Sequence, residues 1–135
     1  DLAHRVAAAL PDSAPGLLVG GELQATVRRV AVSGGAGDSL LGAARASGAD
    51  VFLTADLRHH PASEHLEEGR PYLLCGTHWA TEWVGLPPLA RYLEHGAAAR
   101  GRTLTTYVSV LVTDPWALRL PTGVTDADPA PEPPE

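Results

Sequence analysis

Short apolar runs alternate with helical segments through the middle of the chain, and this alternation constrains the fold more than any other feature. Runs rich in β-branched and other apolar residues predict strands at 27–32, 51–54 and 72–75. Helices are predicted between them, at about 38–47 and 62–68. Strand, helix, strand, helix, strand is typical of right-handed crossovers on a parallel or mixed sheet. We therefore expect an α/β fold, a layered mixed sheet flanked by helices.

Further segments flank this central unit. They are a short amphipathic helix at 2–10, a strand at 16–19, a longer helix at 81–99 that restarts near its prolines, and a strand at 103–112. From 121 to 135, Pro, Asp and Glu leave no apolar face to bury, which predicts a disordered acidic tail. The predicted organisation is thus one folded lobe over 1–120 and a tail over 121–135.

Composition narrows the classes of partner. The chain has 10 Lys and Arg against 16 Asp and Glu, a net charge of −6, which is the wrong sign for neutralising phosphates, so no nucleic acid is expected. A single cysteine, Cys75, forms no intrachain disulfide and fits a reducing, cytoplasmic setting. Apolar runs of roughly eighteen residues and signal-peptide patterns are absent from the sequence, so no membrane association is expected.

The segment GGAGDS, residues 34–39, is predicted as a glycine turn between a strand and a helix. Such a junction aims backbone N–H groups and a positive helix end at an anion, which suits phosphate. However, the sequence has neither the Gly-Lys-Ser/Thr of a Walker loop nor a complete GxGxxG. A tight turn also needs glycine for packing alone, which is the simpler interpretation.

Polar residues are dense in TADLRHHPASEH, directly after a predicted strand. Ligands of open α/β sheets usually bind at this carboxyl end, and the adjacent His59 and His60 are able to ligate a metal or transfer protons near neutral pH, with Asp56 nearby. The alternative is a solvated loop and helix start. For Glu64 and His65 we favour this alternative and expect both on the exposed face.

The segment GTHWATE follows the next strand and contains His78 and Glu82, four residues apart. On a helical turn this spacing puts an imidazole and a carboxylate on one face, a pair that suits zinc, iron or manganese. An ordinary surface contact has the same spacing. Trp79 and Trp83 are interpreted as packing anchors, and Cys75 as a small core residue and not a nucleophile.

Three strings in one order then become informative together: VAVSGGAGDSLL, ADVFLTADLRHH and LLCGTHWATEWVGLPPLARYL. They resemble the carboxyl-terminal half of the dinuclear-metal-centre family of GTP cyclohydrolase I type 2 homologues, whose members form toroidal hexamers. The resemblance covers about 2–112. Its most specific element is a G-x-H-x-x-T/S-E signature, here Gly76, His78, Thr81 and Glu82.

The resemblance implies a centre of two divalent ions (Zn, Mn or Fe) held by both halves of a longer protein. Family members use an adjacent histidine pair and an aspartate from the amino-terminal half, and a histidine and a bridging glutamate from the carboxyl-terminal half. Only the last two map here, as His78 and Glu82. By resemblance, His59 and His60 line the cleft without ligating the ions.

The sequence contains no Met, even at position 1, so we expect it to be a piece of something longer. The resemblance implies that it is one lobe of a two-lobe protein whose amino-terminal half is missing. The resemblance implies a homo-hexameric, metal-dependent hydrolase of a nucleotide-like or phosphorylated small molecule, of the GTP cyclohydrolase type. His59 or His60 is the acid–base candidate. The alternatives are a non-enzymatic metal-binding or interaction scaffold and, third, a plain structural domain.

Overall fold

A four-stranded mixed sheet organises residues 1–123, the part of the chain that the computed structural model describes. Its strands are β1 (Leu18–Gly20), β2 (Val30–Ala36), β3 (Val51–Ala55) and β4 (Tyr72–Gly76). Their spatial order is β1-β4-β3-β2, with β2, β3 and β4 parallel and β1 antiparallel to β4. The expected α/β class is confirmed.

Helices connect and flank these strands. They are α1 (Leu2–Ala9), α2 (Leu41–Ala46) preceded by a 3₁₀ turn (Asp38–Leu40), α3 (His59–Glu67), α4 (His78–Trp83) and α5 (Leu86–Ala98). The predicted restart of the long helix falls between α4 and α5, with Pro87 and Pro88 in the first turn of α5, where a missing N–H removes no helical hydrogen bond. Within residues 1–123, every helix is too short or too polar to cross a membrane.

The core lies where α2 covers the centre of the sheet. Leu41 of α2 packs with Phe52 and Leu73, which are register partners on β3 and β4. All three are buried. The central strands are thus apolar because helices and neighbouring strands cover them, as parallel strands require.

The predicted glycine turn is wrong in its position, because β2 continues through it to Ala36 with a register shift after Val32. Hydrogen bonds fix this irregular end of the strand. The buried Thr54 hydroxyl donates to the Gly35 carbonyl at 3.0 Å, and the Gly37 N–H donates to the Ala55 carbonyl at 3.1 Å. These backbone groups serve the sheet and do not form an anion-binding turn.

The predicted strand at 103–112 is also wrong: within residues 1–123 this part of the chain pairs with no strand, and it continues without helix or strand to residue 118. We call residues 103–118 the extended segment. Hydrogen bonds to α4 and α5 hold this segment in place instead. Thr106 donates to Glu94 of α5, and Trp83 Nε1 of α4 donates to the Ser109 carbonyl at 2.7 Å. A run of apolar and β-branched residues has strand propensity but does not supply the neighbouring strand that a ladder needs.

Most of the predicted tail, residues 124–135, lies outside the described residues. The preceding residues 121–123 are exposed and belong to no helix or strand.

Candidate metal centre

The carboxyl ends of β3 and β4 bring two polar side chains together. Ala55 and Gly76 are register partners at the ends of these strands, so the residues that follow them emerge side by side. Asp56 follows β3, and His78 begins α4 after Thr77, whose hydroxyl caps the helix by accepting the Ala80 N–H. The sheet topology therefore positions these groups, as the rule for ligand sites in open sheets predicts.

His78 lies between two carboxylates. Its Nδ1 is 2.6 Å from Asp56 Oδ2, and its Nε2 is 3.2 Å from Glu82 Oε1, one helical turn further along α4. About half of each of the three side chains is exposed. The expected approach of the His78 and Glu82 side-chain ends is thus present in the structure.

These carboxylates raise the pKa of His78 above its ordinary value of 6.5. The hydrogen bond to Asp56 is the largest cause, and the charges of Glu82 and Asp56 act in the same direction, while partial burial opposes them. The arrangement therefore favours a cation at this position, either a proton on the ring or a metal ion beside it.

Gly35 on β2 faces the same pair and was not predicted from the sequence as part of the site. It has φ +68°, and a Cβ at this position would lie 2.6 Å from Glu82 Oε1 and 3.1 Å from His78 Nε2. Its N–H donates to Thr81 Oγ1 at 3.0 Å, which holds β2 against α4. A glycine within a strand is a sequence signal for such a close approach.

The donor set fits part of a metal site. Neutral imidazole and carboxylate suit Zn²⁺, Mn²⁺ or Fe²⁺. The absence of a side chain at Gly35 lets β2 approach His78 Nε2 and Glu82 Oε1 closely without displacing either atom. Across residues 1–123, however, no three His, Cys, Asp or Glu side chains are arranged to hold an ion together. His78 and Glu82 would therefore hold a metal only with additional ligands.

His59 and His60 lie in the first turn of α3, not in the expected loop, and both are exposed. Their rings contact each other edge to face, with centroids 5.1 Å apart. Among the described residues, neither lines the cavity beside His78 or bonds to the His78 and Glu82 pair. Their role as acid and base stays a prediction.

The expected exposure of His65 is wrong, whereas Glu64 is exposed as expected. His65 is buried, with Nδ1 3.0 Å from Arg45 Nη2 and Nε2 2.8 Å from the Pro71 carbonyl oxygen. The helical pattern of α3 is too short to distinguish its inner from its outer face. His65 is a structural residue that joins α3 to α2 and to the start of β4.

A cavity of about 480 Å³ adjoins the site, lined among others by Asp56, Cys75, His78 and Asp114. The interpretation of Cys75 as a core residue is wrong, because it is half-buried and lines this cavity. Burial is the largest cause of the raised pKa of its thiol, which favours the protonated form. Asp114 Oδ1 accepts the Trp79 N–H at 3.0 Å. This bond anchors the extended segment beside the start of α4.

Comparison with known proteins assigns the chain to a family. The sequence model of the Duf34/NIF3 (NGG1p interacting factor 3) family matches residues 1–115. The chain belongs to the Duf34/NIF3 family. The resemblance noted in the sequence is thereby confirmed, since similar Duf34/NIF3-type relatives carry the name GTP cyclohydrolase 1 type 2 homolog.

One such relative, from Streptomyces coelicolor, is 47% identical over 127 residues, which are 94% of this chain and 45% of the relative. Another, from Mycobacterium tuberculosis, is 42% identical over 119 residues, 88% of this chain and 31% of the relative. The chain therefore spans less than half the length of these relatives.

Solved structures agree with the fold. The Staphylococcus aureus protein SA1388 superimposes with a TM-score of 0.70 at 28% identity, covering 78% of this chain and 34% of that protein. A Bacillus cereus protein related to NIF3 superimposes with a TM-score of 0.67 at 31% identity, covering 77% of this chain and 28% of that protein. The mixed sheet with its flanking helices is thus the arrangement of NIF3-related proteins.

Proposed function

We propose that this chain is the metal-binding lobe of a metal-dependent hydrolase that acts on a nucleotide-like or other phosphorylated substrate. One observation carries the proposal: His78 Nε2 and Glu82 Oε1 lie 3.2 Å apart, close enough to contact one ion, beside a glycine whose Cβ would crowd both atoms. The names of the relatives suggest GTP as a substrate to test.

In this proposal His78 and Glu82 each donate one atom to a centre of two divalent ions. Such ions polarise a substrate oxygen and lower the pKa of bound water. The chain supplies two donors, and by the family resemblance the remaining ligands would be an adjacent histidine pair and an aspartate from the other half of a longer protein. His59 or His60 is proposed as the proton donor or acceptor, reached when that half and the substrate are in place. Assembly as a cytoplasmic homo-hexamer belongs to the same proposal.

A second candidate function, a non-enzymatic metal-binding scaffold, is favoured by a separate observation. The extended segment and α5 expose large apolar side chains, among them Tyr92, Tyr107 and Trp116, each at least 65% exposed. Exposed aromatic residues of this kind are common in protein interfaces. In this alternative the bound metal would stabilise an assembly and no substrate would turn over.

Metal uptake and turnover distinguish the two functions. We expect the intact protein to bind Zn²⁺ or Mn²⁺ in calorimetric titration and to hydrolyse GTP or a simple phosphoester such as p-nitrophenyl phosphate. His78→Ala and Glu82→Ala should each bind the metal much more weakly and lose turnover. His4→Ala is the matched control, because His4 is an exposed histidine on α1 that pairs with Asp1, and it should leave both unchanged.

A separate experiment tests the proposed acid–base role of His59 and His60. His59→Ala or His60→Ala should lower kcat while leaving metal affinity unchanged. Metal uptake without turnover would favour the scaffold, and metal affinity that survives His78→Ala would contradict the ligand assignment altogether.

A further inference from the structure

Asp56 has an unusual backbone conformation for its residue type. Its φ of +52° makes it the one non-glycine residue with positive φ among residues 1–123. The left-handed region is unfavourable for L-residues other than glycine, although Asp and Asn visit it at modest cost. Residues held in this way are often found at functional sites. Here the conformation turns the chain directly after β3, at the edge of the sheet where α4 begins.

The carboxylate of Asp56 contacts the ring of His78 at a short distance. His78 Nδ1–H donates to Asp56 Oδ2 at 2.6 Å, which is short for a hydrogen bond from nitrogen and is typical of a charge-assisted one. The neighbouring Asp38 has a different partner, because it binds the backbone N–H and the guanidinium of Arg58. Asp38 and Asp56 therefore bind different partners, and only Asp56 contacts the candidate metal centre.

The hydrogen bond determines which ring nitrogen of His78 is free. An ionised carboxylate accepts hydrogen bonds and donates none, and both Asp56 and Glu82 face the ring. The contact of Nδ1 with Asp56 is the shorter, 2.6 Å against 3.2 Å for Nε2 with Glu82, so it favours the proton of a neutral imidazole on Nδ1. Nε2 then carries the lone pair, and this is the nitrogen that faces Glu82 Oε1 and Gly35. Metal-bound histidines usually have such a partner on their other nitrogen, which fixes the tautomer and the ring orientation.

We propose that Asp56 is a positioning residue of the candidate metal centre, which holds His78 in the Nδ1–H tautomer so that Nε2 faces the metal position. The metal-binding part of this inference rests on the proposed function. The tautomer part concerns the metal-free protein and is tested separately.

The tautomer is measured by ¹⁵N–¹H correlation spectra of the histidine rings in metal-free intact protein, at about pH 9, where an ordinary imidazole is neutral. We expect the His78 signals of the unaltered protein to show a protonated Nδ1 and an unprotonated Nε2. In Asp56→Asn the side chain keeps its size and tolerates the left-handed backbone, but its amide group is able to donate to Nδ1. The His78 signals should therefore shift toward a mixture of tautomers.

Metal affinity is measured by competition titration with Zn²⁺ on the same proteins. Loss of such a partner typically weakens metal binding about 10–100-fold, and we expect this loss in Asp56→Asn. Asp56→Gly is the second variant, because glycine adopts positive φ without strain and removes the acceptor altogether. Asp38→Asn is the matched control and should change Zn²⁺ affinity by less than about twofold, since its carboxylate binds Arg58 and not His78.

The outcomes separate the two proposals. Unchanged His78 ring signals in both Asp56 variants, or Zn²⁺ affinity equal to that of the unaltered protein, would overturn the role of Asp56. Absence of Zn²⁺ binding in the unaltered protein, together with the expected change of tautomer, would overturn the proposed metal-dependent function and with it the metal-binding part of this inference.

Discussion

Gly35 brings the edge strand β2 into direct contact with the candidate metal centre. A Cβ at this position would collide with Glu82 Oε1 and crowd His78 Nε2, and the positive φ disfavours any other residue type. The atom it would meet first is the end of a flexible side chain, so Glu82 is able to swing aside. A side chain at position 35 would therefore displace the ligands of the candidate metal centre more than it would lower the stability of the fold.

Gly35→Ala is accordingly expected to reduce Zn²⁺ affinity of the intact protein by about 10–100-fold, the range for changes that misplace a ligand. It should lower the free energy of unfolding by only about 1–2 kcal/mol, the cost of the left-handed conformation for alanine. Gly42→Ala is the matched control. Its Cβ would meet nothing within 4 Å, and alanine is the better helix former in α2, so stability should rise slightly with affinity unchanged. Equal affinities in both variants would contradict the geometry.

The raised pKa of His78 predicts a pH dependence of stability in the metal-free protein. Because its pKa is higher in the folded state, the stabilising contribution of the charged ring is fully present below about pH 6.5 and is lost as pH rises through the folded value. Since the side chain is half exposed, we expect less than about 1 kcal/mol. The difference in unfolding free energy between the unaltered protein and His78→Gln, measured by urea denaturation, should shrink with increasing pH. A difference that grows would contradict the assignment.

At the residue scale, local spacing predicted what lies within one helical turn and little else. The approach of His78 to Glu82 follows from their i,i+4 positions. The contacts of Asp56 and Gly35 with His78 connect parts of the chain that are far apart in sequence, so the spacing of residues does not predict them. The buried position of His65 depends in the same way on Arg45 and Pro71, which lie on other elements.

At the scale of elements, the buried strands were predictable and the edges were not. β3 and β4 are continuous apolar runs, and their bounds agree with the predicted ones within a residue. β2 extends four residues beyond its predicted end, because Gly35 donates to Thr81 and accepts from Thr54 instead of forming a turn. The segment at 103–112 has strand composition, yet its contacts in residues 1–123 are with α4 and α5.

Glu94 provides a test of how this extended segment is held. Its Oε1 accepts both the backbone N–H and the hydroxyl of Thr106, and these bonds are the largest causes of its lowered pKa. Glu94→Ala should therefore speed hydrogen exchange of the Thr106 amide, measured by NMR. Arg91→Ala, an exposed position one turn earlier on α5, is the control and should not.

The same bonds give a pH dependence of opposite sign to that of His78. Because the pKa of Glu94 is lowered by folding, its contribution is present above its ordinary value of 4.5 and is lost as pH falls through the folded value. As pH falls from 4.5 through the folded pKa of Glu94, protection of the Thr106 amide against hydrogen exchange should decrease in the unaltered protein and stay constant in Glu94→Ala. The protection is corrected for the intrinsic exchange rate. Protection that is equal in the two proteins would show that the segment is held by other contacts.

At the scale of the whole molecule, two observations point to surfaces that this chain leaves uncovered. The chain spans 45% and 31% of the length of two family relatives. Several large apolar residues of the extended segment are also at least 65% exposed, among them Val110, Leu111, Trp116 and Leu118. A sequence of this length predicts its own sheet. Under the proposed function, residues outside it would cover the extended segment and would supply the metal ligands that His78 and Glu82 lack.

The last prediction compares this chain with the intact protein that contains both halves. One imidazole and one carboxylate leave the other coordination positions to water, whereas protein metal sites usually fix three or four ligands. The 135-residue chain should therefore bind Zn²⁺ or Mn²⁺ weakly in calorimetric titration, and the intact protein much more tightly. Glu82→Ala should reduce the metal affinity of the intact protein more than His78→Ala, because by the resemblance the Glu82 carboxylate would contact both ions. Submicromolar affinity in the isolated chain that survives His78→Ala would place the metal elsewhere, with Asp56, His59 and His60 as the next ligand set to test.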